Sequence, residues 1–271
     1  MARVFVTGSA DGLGRLAAQQ LLAQGHEVVL HARNAERAQA AKRAAAGAST
    51  VIVGDVSSLS GMRATAQQAN EFARFDAVIH NVGVGYRQPQ RIQTVDGLEI
   101  IFAVNVLAPY VLTALMHRPQ RLIYLSSALH RRGRPELSDP QWRQRPWDGT
   151  QVYSDSKLFD AQLAFGIARR WPDVRSNALE PGWVPTRMGG PEATGDLYQG
   201  AETQAWLAVS DEPAAQVSGE YFYHRELREP APISRDESLQ DALLDYCAEL
   251  AGREAVLTPP PVAHFGQIEP V

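Results

Sequence analysis

The sequence predicts an α/β protein with a doubly wound, mostly parallel sheet, helices on both faces and a single domain. Short strand-like runs alternate with helical patterns along the 271 residues, and no linker-like segment divides them. Most runs lack the polar alternation of a half-exposed strand, as in "VIVGD", "AVIHN" and "RLIYLSS". The predicted strands lie at 3–6, 27–31, 50–53, 76–80, 120–125 and 174–179.

The first strand leads into "TGSADGLG", which places three glycines within seven residues, and a helical pattern then runs to a stop at Gly25. Such a strand-to-helix turn directs free backbone N–H groups and the positive end of a helix to one point, which suits a pyrophosphate. Gly12, Gly14 and Ala17 fit the dinucleotide pattern G-x-G-x-x-A. Because glycine-rich turns also join strands and helices in proteins without such ligands, this motif alone leaves the function open.

A closing helix is predicted near the C-terminus. Ser234 and Glu237 have the spacing of a capping box, and Gly252 marks the stop. We therefore expect one domain over 1–252. The proline-rich segment 253–271 is expected to be an extended tail, or equally a strap that docks on a partner.

Composition excludes several functional classes. A net charge of −4 argues against a general nucleic-acid binder. The single cysteine, Cys247, excludes an intrachain disulfide framework and fits a reducing compartment. The first residues lack the charged and apolar regions of a signal peptide, and the longest apolar stretch, 100–116, only reaches the lower limit of a membrane span. A cytoplasmic protein without a membrane span is expected.

Beyond the glycine-rich turn the chain carries "GDVSS", "HNVG", "NVLAPY", "YLSSALH", "YSDSK" and "EPGWVPTRM" in that order. This series resembles the short-chain dehydrogenase/reductase family over roughly residues 3–225. The resemblance implies a Rossmann-type fold that binds a nicotinamide dinucleotide. The cofactor-binding residues that it implies are Thr7, Gly8, Ser9, Asp11, Gly12, Leu13, Gly14, Arg33, Asp55, Val56, Asn81, Gly83, Tyr153, Lys157, Pro181, Gly182, Val184 and Thr186.

Tyr153 and Lys157 are four residues apart on a predicted helix and therefore share one face. A tyrosine hydroxyl has a pKa of about 10 in isolation, and a nearby ammonium stabilises its phenolate. The pair can therefore form an acid/base group near neutral pH. The same spacing occurs by chance on many helices, so the resemblance is what favours a catalytic function.

The resemblance adds two catalytic residues. Ser127, after the strand "RLIYL", would orient the substrate oxygen, and Asn105 would hold a water chain from Lys157. From the residues alone, an amide in an apolar helix requires a partner in the backbone or in ordered water. The implied reaction is reversible hydride transfer between a nicotinamide and a carbonyl or alcohol, in which Tyr153 gives or takes the hydroxyl proton. It requires no metal.

Arg33 bears on the choice of cofactor. An NAD-binding chain usually has an acidic residue about 20 positions beyond the glycine turn, but Arg33 lies 21 residues after Gly12. This favours the 2′-phosphate of NADP(H), although a solvated arginine near Arg37 is the alternative. Asp55 matches the acid that contacts adenine, or it serves as a turn cap. Asn81 matches the residue that braces the fourth strand.

A segment at 129–150 separates the serine strand from the tyrosine helix and carries Trp142, Trp147 and five arginines. Loops of this length are usually functional or disordered. Similar segments occur in the retinol-dehydrogenase-like and protochlorophyllide-reductase-like branches, which implies a bulky apolar ketone or aldehyde and a substrate lid. The alternative is a surface excursion whose tryptophans are half packed.

The leading hypothesis is an NADP(H)-dependent oxidoreductase. The alternative is a catalytically silent redox sensor that binds the dinucleotide, and the complete Ser127, Tyr153 and Lys157 set counts against it. A sugar-nucleotide epimerase or dehydratase is disfavoured by the glycine spacing.

A homodimer is expected from the helices predicted at 98–116 and 151–171, by which the family commonly dimerises. Both are apolar on more than one face, and such helices need further burial. The residues concerned are Leu98, Ile101, Leu112, Phe159, Leu163 and Phe165.

Overall fold

The computed structural model describes residues 1–252 and 254–257. Its strands are β1 Arg3–Val6, β2 Glu27–Ala32, β3 Thr50–Val53, β4 Ala77–His80, β5 Arg121–Leu125, β6 Arg175–Glu180, β7 Tyr221–Tyr223 and β8 Glu226–Leu227. Its α-helices are α1 Gly12–Ala23, α2 Ala35–Ala44, α3 Leu59–Phe72, α4 Ile100–Phe102, α5 Ala108–Leu115, α6 Gly149–Arg170, α7 Leu197–Val209 and α8 Glu237–Ala251. Among the described residues, no helix is long and apolar enough to cross a membrane.

All eight of these strands form one sheet in the order β3-β2-β1-β4-β5-β6-β7-β8. Neighbouring strands are parallel except for the antiparallel pair β7 and β8. The predicted fold class is confirmed, and each of the six predicted strands is present within one residue of its expected ends. The sequence did not predict β7 and β8, because runs of three and two residues carry too little periodicity.

The sheet is covered on both faces. Phe5 and Val29 belong to an apolar layer with α3, α5 and α6, whereas Val4 and Leu30 belong to a second layer with α1 and α7. Successive strand residues point to opposite faces, so both kinds of position are buried. This explains the absence of polar alternation. The winding direction reverses between β1 and β4, and folds of this kind bind ligands at that edge.

The start of α8 differs from the prediction. Asp236, not Ser234, caps the helix, and its carboxylate accepts the backbone N–H groups of Ser238 (2.9 Å) and Leu239 (3.2 Å). Ser234 lies in a preceding 3-10 turn, where its hydroxyl donates to the Ala231 carbonyl at 2.6 Å. The predicted capping box is therefore wrong, and the stop at Gly252 is confirmed.

Helix α8 covers α5 and α6. A Cβ at Gly166 would lie 2.9 Å from the Leu244 side chain, and the Asp241 carboxylate pairs with Arg169 (2.6 Å) and Arg170 (2.9 Å). All the apolar residues on which the homodimer prediction was based are buried within one chain, namely Leu98, Ile101, Leu112, Phe159, Leu163 and Phe165. Helix α8 covers α5 and α6, and Trp142 and Val152 cover Ile101, so the apolar character of these residues does not by itself require a second copy. The homodimer stays a prediction.

Part of the predicted tail packs on the domain. Ala255 is fully buried, and its carbonyl accepts the Tyr110 hydroxyl at 3.0 Å. Residues 254–257 therefore continue the core contact of α8. The rest of the predicted tail, residues 253 and 258–271, lies outside the described residues.

The variant Leu244→Ala tests whether α8 covers the core at α5 and α6. Leu244 is 1% exposed, so we expect the free energy of unfolding to fall by about 2–5 kcal/mol in urea titrations. Glu249→Ala, on the exposed side of the same helix, should change it by less than about 0.5 kcal/mol. Equal effects of the two variants would show that α8 does not cover the core.

Candidate active site

The glycine-rich turn joins β1 to α1 at the carboxyl edge of the sheet. Gly8 and Gly12 have φ values of +63° and +54°, where glycine is favoured because it lacks a Cβ. A Cβ at Gly14 would lie 2.3 Å from the side-chain nitrogen of Asn81 and 2.6 Å from the Gly8 carbonyl oxygen. The first turn of α1 therefore presents bare backbone, which fits a dinucleotide pyrophosphate.

Asn81, directly after β4, connects that strand to the turn. Its side-chain amide donates to the carbonyl oxygens of Thr7 (2.9 Å) and Gly8 (3.1 Å). Its backbone N–H donates to the Thr7 hydroxyl at 2.9 Å. The structure thus gives Asn81 the position of a brace between β1 and β4.

His31 of β2 supports the same turn, although no motif identifies it. Its Nδ1 accepts the Gly8 N–H (3.1 Å), its Nε2 lies 2.9 Å from the Gly54 carbonyl oxygen, and its backbone N–H donates to the Ser9 hydroxyl at 2.8 Å. These partners require a neutral ring with the proton on Nε2. Burial lowers the pKa of His31, against the opposing effects of the Gly54 carbonyl and Asp55. A histidine within an apolar strand was the available sequence signal.

Charged side chains gather beside the turn. Arg37 of α2 pairs with Asp11 at 2.5 Å, and Arg187, in the loop after β6, lies 3.8 Å from the same carboxylate. Arg33, directly after β2, is exposed, and no ion pair with the described residues holds its guanidinium. At the end of β2, Arg33 is therefore more accessible to a ligand than Arg37.

Three further predicted residues, Asp55, Val56 and Leu13, follow β3 and β1 at the carboxyl edge of the sheet. The exposed Asp55 carboxylate accepts the Ser57 N–H at 3.0 Å, as in a turn cap. Val56 is buried in the apolar layer of α3, and the half-buried Leu13 packs on the layer of α1. The side chains of Val56 and Leu13 thus face the core, so a contact with a ligand would involve their backbone.

Asn105 lies in a π-helical turn, Ala103–Leu107, between α4 and α5. Its Oδ1 accepts the Val84 N–H (2.7 Å), and its Nδ2 donates to the Val84 carbonyl (3.1 Å) and the Ser156 hydroxyl (3.0 Å). Pro109 has no N–H, so it cannot donate the usual α-helical bond to the Asn105 carbonyl. The backbone partner required by the sequence is therefore present in the loop after β4.

Tyr153 is buried near the start of α6. Its hydroxyl lies 3.7 Å from the Met188 sulfur, and its ring meets Tyr86 edge-on at 5.6 Å between centres. Burial raises the pKa of this hydroxyl, and the Lys157 ammonium and the Ser127 hydroxyl oppose that shift. The phenol therefore has both of the neighbours that the sequence expects of an acid/base group.

The Lys157 ammonium donates to the Leu125 carbonyl (2.7 Å) and to the Asp160 carboxylate (2.8 Å), and it lies 5.6 Å from the centre of the Tyr153 ring. Burial lowers the pKa of Lys157, but Asp160 and Tyr153 outweigh that effect and the pKa is raised. Burial raises the pKa of Asp160 to about 6, against the ammonium. Asp160 was not among the predicted site residues.

The two serines after β5 have different environments. The Ser126 hydroxyl donates to the Lys157 carbonyl at 2.7 Å, which is a structural contact. The Ser127 hydroxyl accepts a backbone N–H of the next turn at 3.2 Å. The Ser127 carbonyl accepts hydrogen bonds from His130 Nδ1 (2.7 Å) and the Tyr221 hydroxyl (3.3 Å). The hydrogen bonds of His130 and Tyr221 therefore fix the backbone that carries the Ser127 hydroxyl.

The loop after β6 lies against the glycine turn, and the loop after β4 lies near Lys157. The Thr186 methyl lies 3.6 Å from the position of a Cβ at Gly12, and a Cβ at Gly83 would lie 3.9 Å from the Lys157 ammonium. This loop also carries the remaining predicted cofactor residues, Pro181, Gly182 and Val184. Through Thr186 and Met188 this loop reaches both the glycine turn and the Tyr153 hydroxyl, and the part of the sheet edge between them is called the crevice below.

The segment 129–150 packs its tryptophans on the domain. Trp142 is 6% exposed and contacts Ile101 and Val152. The Trp147 ring meets it edge-on at 6.3 Å, and the Arg145 guanidinium lies 4.1 Å over it. Trp142 is therefore packed on the domain, and the substrate lid stays a prediction.

Comparison with known proteins agrees with this geometry. A family model described as short chain dehydrogenase matches residues 2–130. An uncharacterised oxidoreductase from Emericella nidulans is 42% identical over 93% of this chain and 98% of its own length. The chain belongs to the short-chain dehydrogenase family. Human retinol dehydrogenase 13 is 31% identical over 93% of this short-chain dehydrogenase and 85% of its own length, in agreement with the predicted branch. A solved structure of an uncharacterised protein from Mycobacterium paratuberculosis has a TM-score of 0.81, 25% identity and 95% coverage of both chains.

The close approach at the turn predicts the effect of Gly14→Ala. The added carbon would displace both the Asn81 side chain and the Gly8 carbonyl from residue 14. We therefore expect the free energy of unfolding to fall by about 1–3 kcal/mol and dinucleotide binding to weaken at least about tenfold. Thermal unfolding and cofactor fluorescence titration measure the two effects. Gly47→Ala is the control, since its Cβ would lie 3.5 Å from Leu22. Wild-type binding by Gly14→Ala would exclude this turn as the cofactor cradle.

Proposed function

We propose that this short-chain dehydrogenase is an NADP(H)-dependent oxidoreductase that works as a reductase of a bulky apolar ketone or aldehyde. The observation that carries the proposal is the buried Tyr153 hydroxyl beside the Lys157 ammonium, at the carboxyl edge of the sheet and next to the bare glycine turn. A buried phenol next to a cation is suited to proton transfer. A pair with a purely structural function would not need this arrangement.

The protein's part in the reaction follows from these positions. The bound dinucleotide supplies or accepts the hydride. Tyr153 gives its hydroxyl proton to the carbonyl oxygen in reduction and takes it back in oxidation. Ser127 holds the same oxygen through its hydroxyl, and Lys157 stabilises the phenolate. Asn105 fixes the loop at Val84 opposite this group.

The preference for NADP(H) rests on Arg33. The exposed guanidinium follows β2, at the position where a ribose-binding carboxylate would exclude a 2′-phosphate. Arg37 already pairs with Asp11, whereas no ion pair with the described residues holds the Arg33 guanidinium. A guanidinium can form charge-assisted hydrogen bonds to two phosphate oxygens.

The apolar substrate is proposed from the surroundings of the Tyr153 hydroxyl. The Met188 sulfur, from the loop after β6, lies 3.7 Å from this hydroxyl, and the Tyr86 ring, from the loop after β4, meets the Tyr153 ring edge-on. Trp183 is 50% exposed on the same loop as Met188, and its indole N–H donates to the Gly189 carbonyl at 3.0 Å. The thioether and the Tyr86 ring favour an apolar carbonyl compound, and the exposed Trp183 ring adds apolar surface to the loop that carries Met188.

A redox sensor that binds the dinucleotide without turnover is the competing function. It would use the same glycine turn but would not need the proton donor. Substrate turnover therefore distinguishes the two functions, and Tyr153 is the residue at which to test it.

Tyr153→Phe removes the transferable proton and keeps the ring. We expect the reduction of aromatic ketones and aldehydes to fall by at least about 100-fold in assays of NADPH oxidation, with NADPH still bound. Tyr246→Phe is the control, because its hydroxyl contacts Gln141 on another part of the domain. Substantial turnover by Tyr153→Phe would rule out Tyr153 as the acid.

Arg33→Ala tests the choice of cofactor. Loss of a charge-assisted contact should weaken NADPH binding by about 10- to 100-fold and leave NADH binding nearly unchanged, as measured by isothermal titration. Arg43→Ala, an exposed arginine on α2, should affect neither. A wild-type protein that prefers NADH, or an equal loss for both cofactors, would show that Arg33 does not bind the phosphate.

A further inference from the structure

Asp160 is a buried carboxylate that the reaction above does not use. It is 2% exposed, and its Oδ2 lies 2.8 Å from the Lys157 ammonium, one turn earlier on α6. The Leu125 carbonyl accepts a second hydrogen bond from the same ammonium at 2.7 Å. Two of the three N–H groups of Lys157 are therefore directed to β5 and to Asp160, and the third remains for the site.

We propose that Asp160 is a positioning residue that holds the Lys157 ammonium in the active site and moderates its effect on the Tyr153 hydroxyl. The inference rests on the proposed function, in which Tyr153 transfers the proton. The Asp160 carboxylate bonds the Lys157 ammonium and acts through it.

The physical reason is the burial of a cation. A buried ammonium without a counterion is strongly destabilised, and a hydrogen-bonded carboxylate compensates for this. The same carboxylate opposes the field of the ammonium at Tyr153, so Asp160 raises the pKa of Tyr153 as well as that of Lys157. Removing the negative charge of Asp160 should therefore lower the pH at which the Tyr153–Lys157 pair loses its first proton. This holds whichever of the two groups releases that proton.

Among the residues that the structure describes, few other titratable groups face Lys157, Asp160 and Tyr153. Tyr124 of β5 faces Asp160, and His80 of β4 lies behind Tyr124 with 4.7 Å between ring centres. Burial raises the pKa of Tyr124 and lowers that of His80 to about 3, so both are neutral between about pH 5 and 9. Tyr86, from the loop after β4, faces Tyr153.

The test is the pH dependence of kcat/KM for NADP-dependent alcohol oxidation by Asp160→Asn. We expect the limb assigned to the Tyr153–Lys157 pair to move to lower pH by about one unit or more. Asp155→Asn is a matched control, since this buried acid on the same helix contacts Gln151 and the backbone N–H of Arg134. An unmoved limb in an active Asp160→Asn enzyme would overturn the proposal.

A stability comparison decides the case if Asp160→Asn does not fold or if the wild type has no turnover. Lys157→Met leaves the carboxylate unpaired, so the double variant Lys157→Met/Asp160→Asn should melt several degrees higher than Lys157→Met at pH 8. The same change in melting temperature for Asp160→Asn with and without Lys157 would show that the pair is not coupled and would overturn the inference. An inactive wild type would contradict the proposed function alone.

Discussion

The hydrogen bonds of Asn81 hold the carboxyl ends of β1 and β4 together, and the crevice depends on them. The side-chain amide reaches two successive carbonyl oxygens of the turn, at Thr7 and Gly8. This contact requires Gly14, because any side chain there would overlap the amide. The close approach of Asn81 to Gly14 thus has two consequences. It leaves bare backbone that fits a pyrophosphate, and it links β1 to β4.

The buried polar groups of the crevice divide into neutral and charged supports. His31 is neutral and aligns the Gly8 N–H with the end of β3, and burial favours that state by lowering its pKa. Lys157 remains charged although it is buried, because Asp160 is beside it. The neutral support lies at the glycine turn, and the charged pair lies beside Tyr153, the proposed proton donor.

The sequence predicted the six longer strands because apolar runs buried on both faces have a clear pattern. It predicted the place of Asn81 and the need of Asn105 for a backbone partner from residue chemistry and resemblance. The cap at Asp236 and the cover by α8 could not be predicted, because they depend on which tertiary contacts form. The same holds for His31 and Asp160, which match no motif and are identified only by their neighbours.

Transfer of deuterium from NADPH deuterated at C4 to an apolar aromatic ketone tests the central claim most directly. The proposal predicts that the wild-type protein forms an alcohol with one deuterium on the carbinol carbon, as seen by mass spectrometry. A protein that binds the labelled cofactor but leaves a panel of such ketones and aldehydes unreduced would contradict it and would favour the sensor.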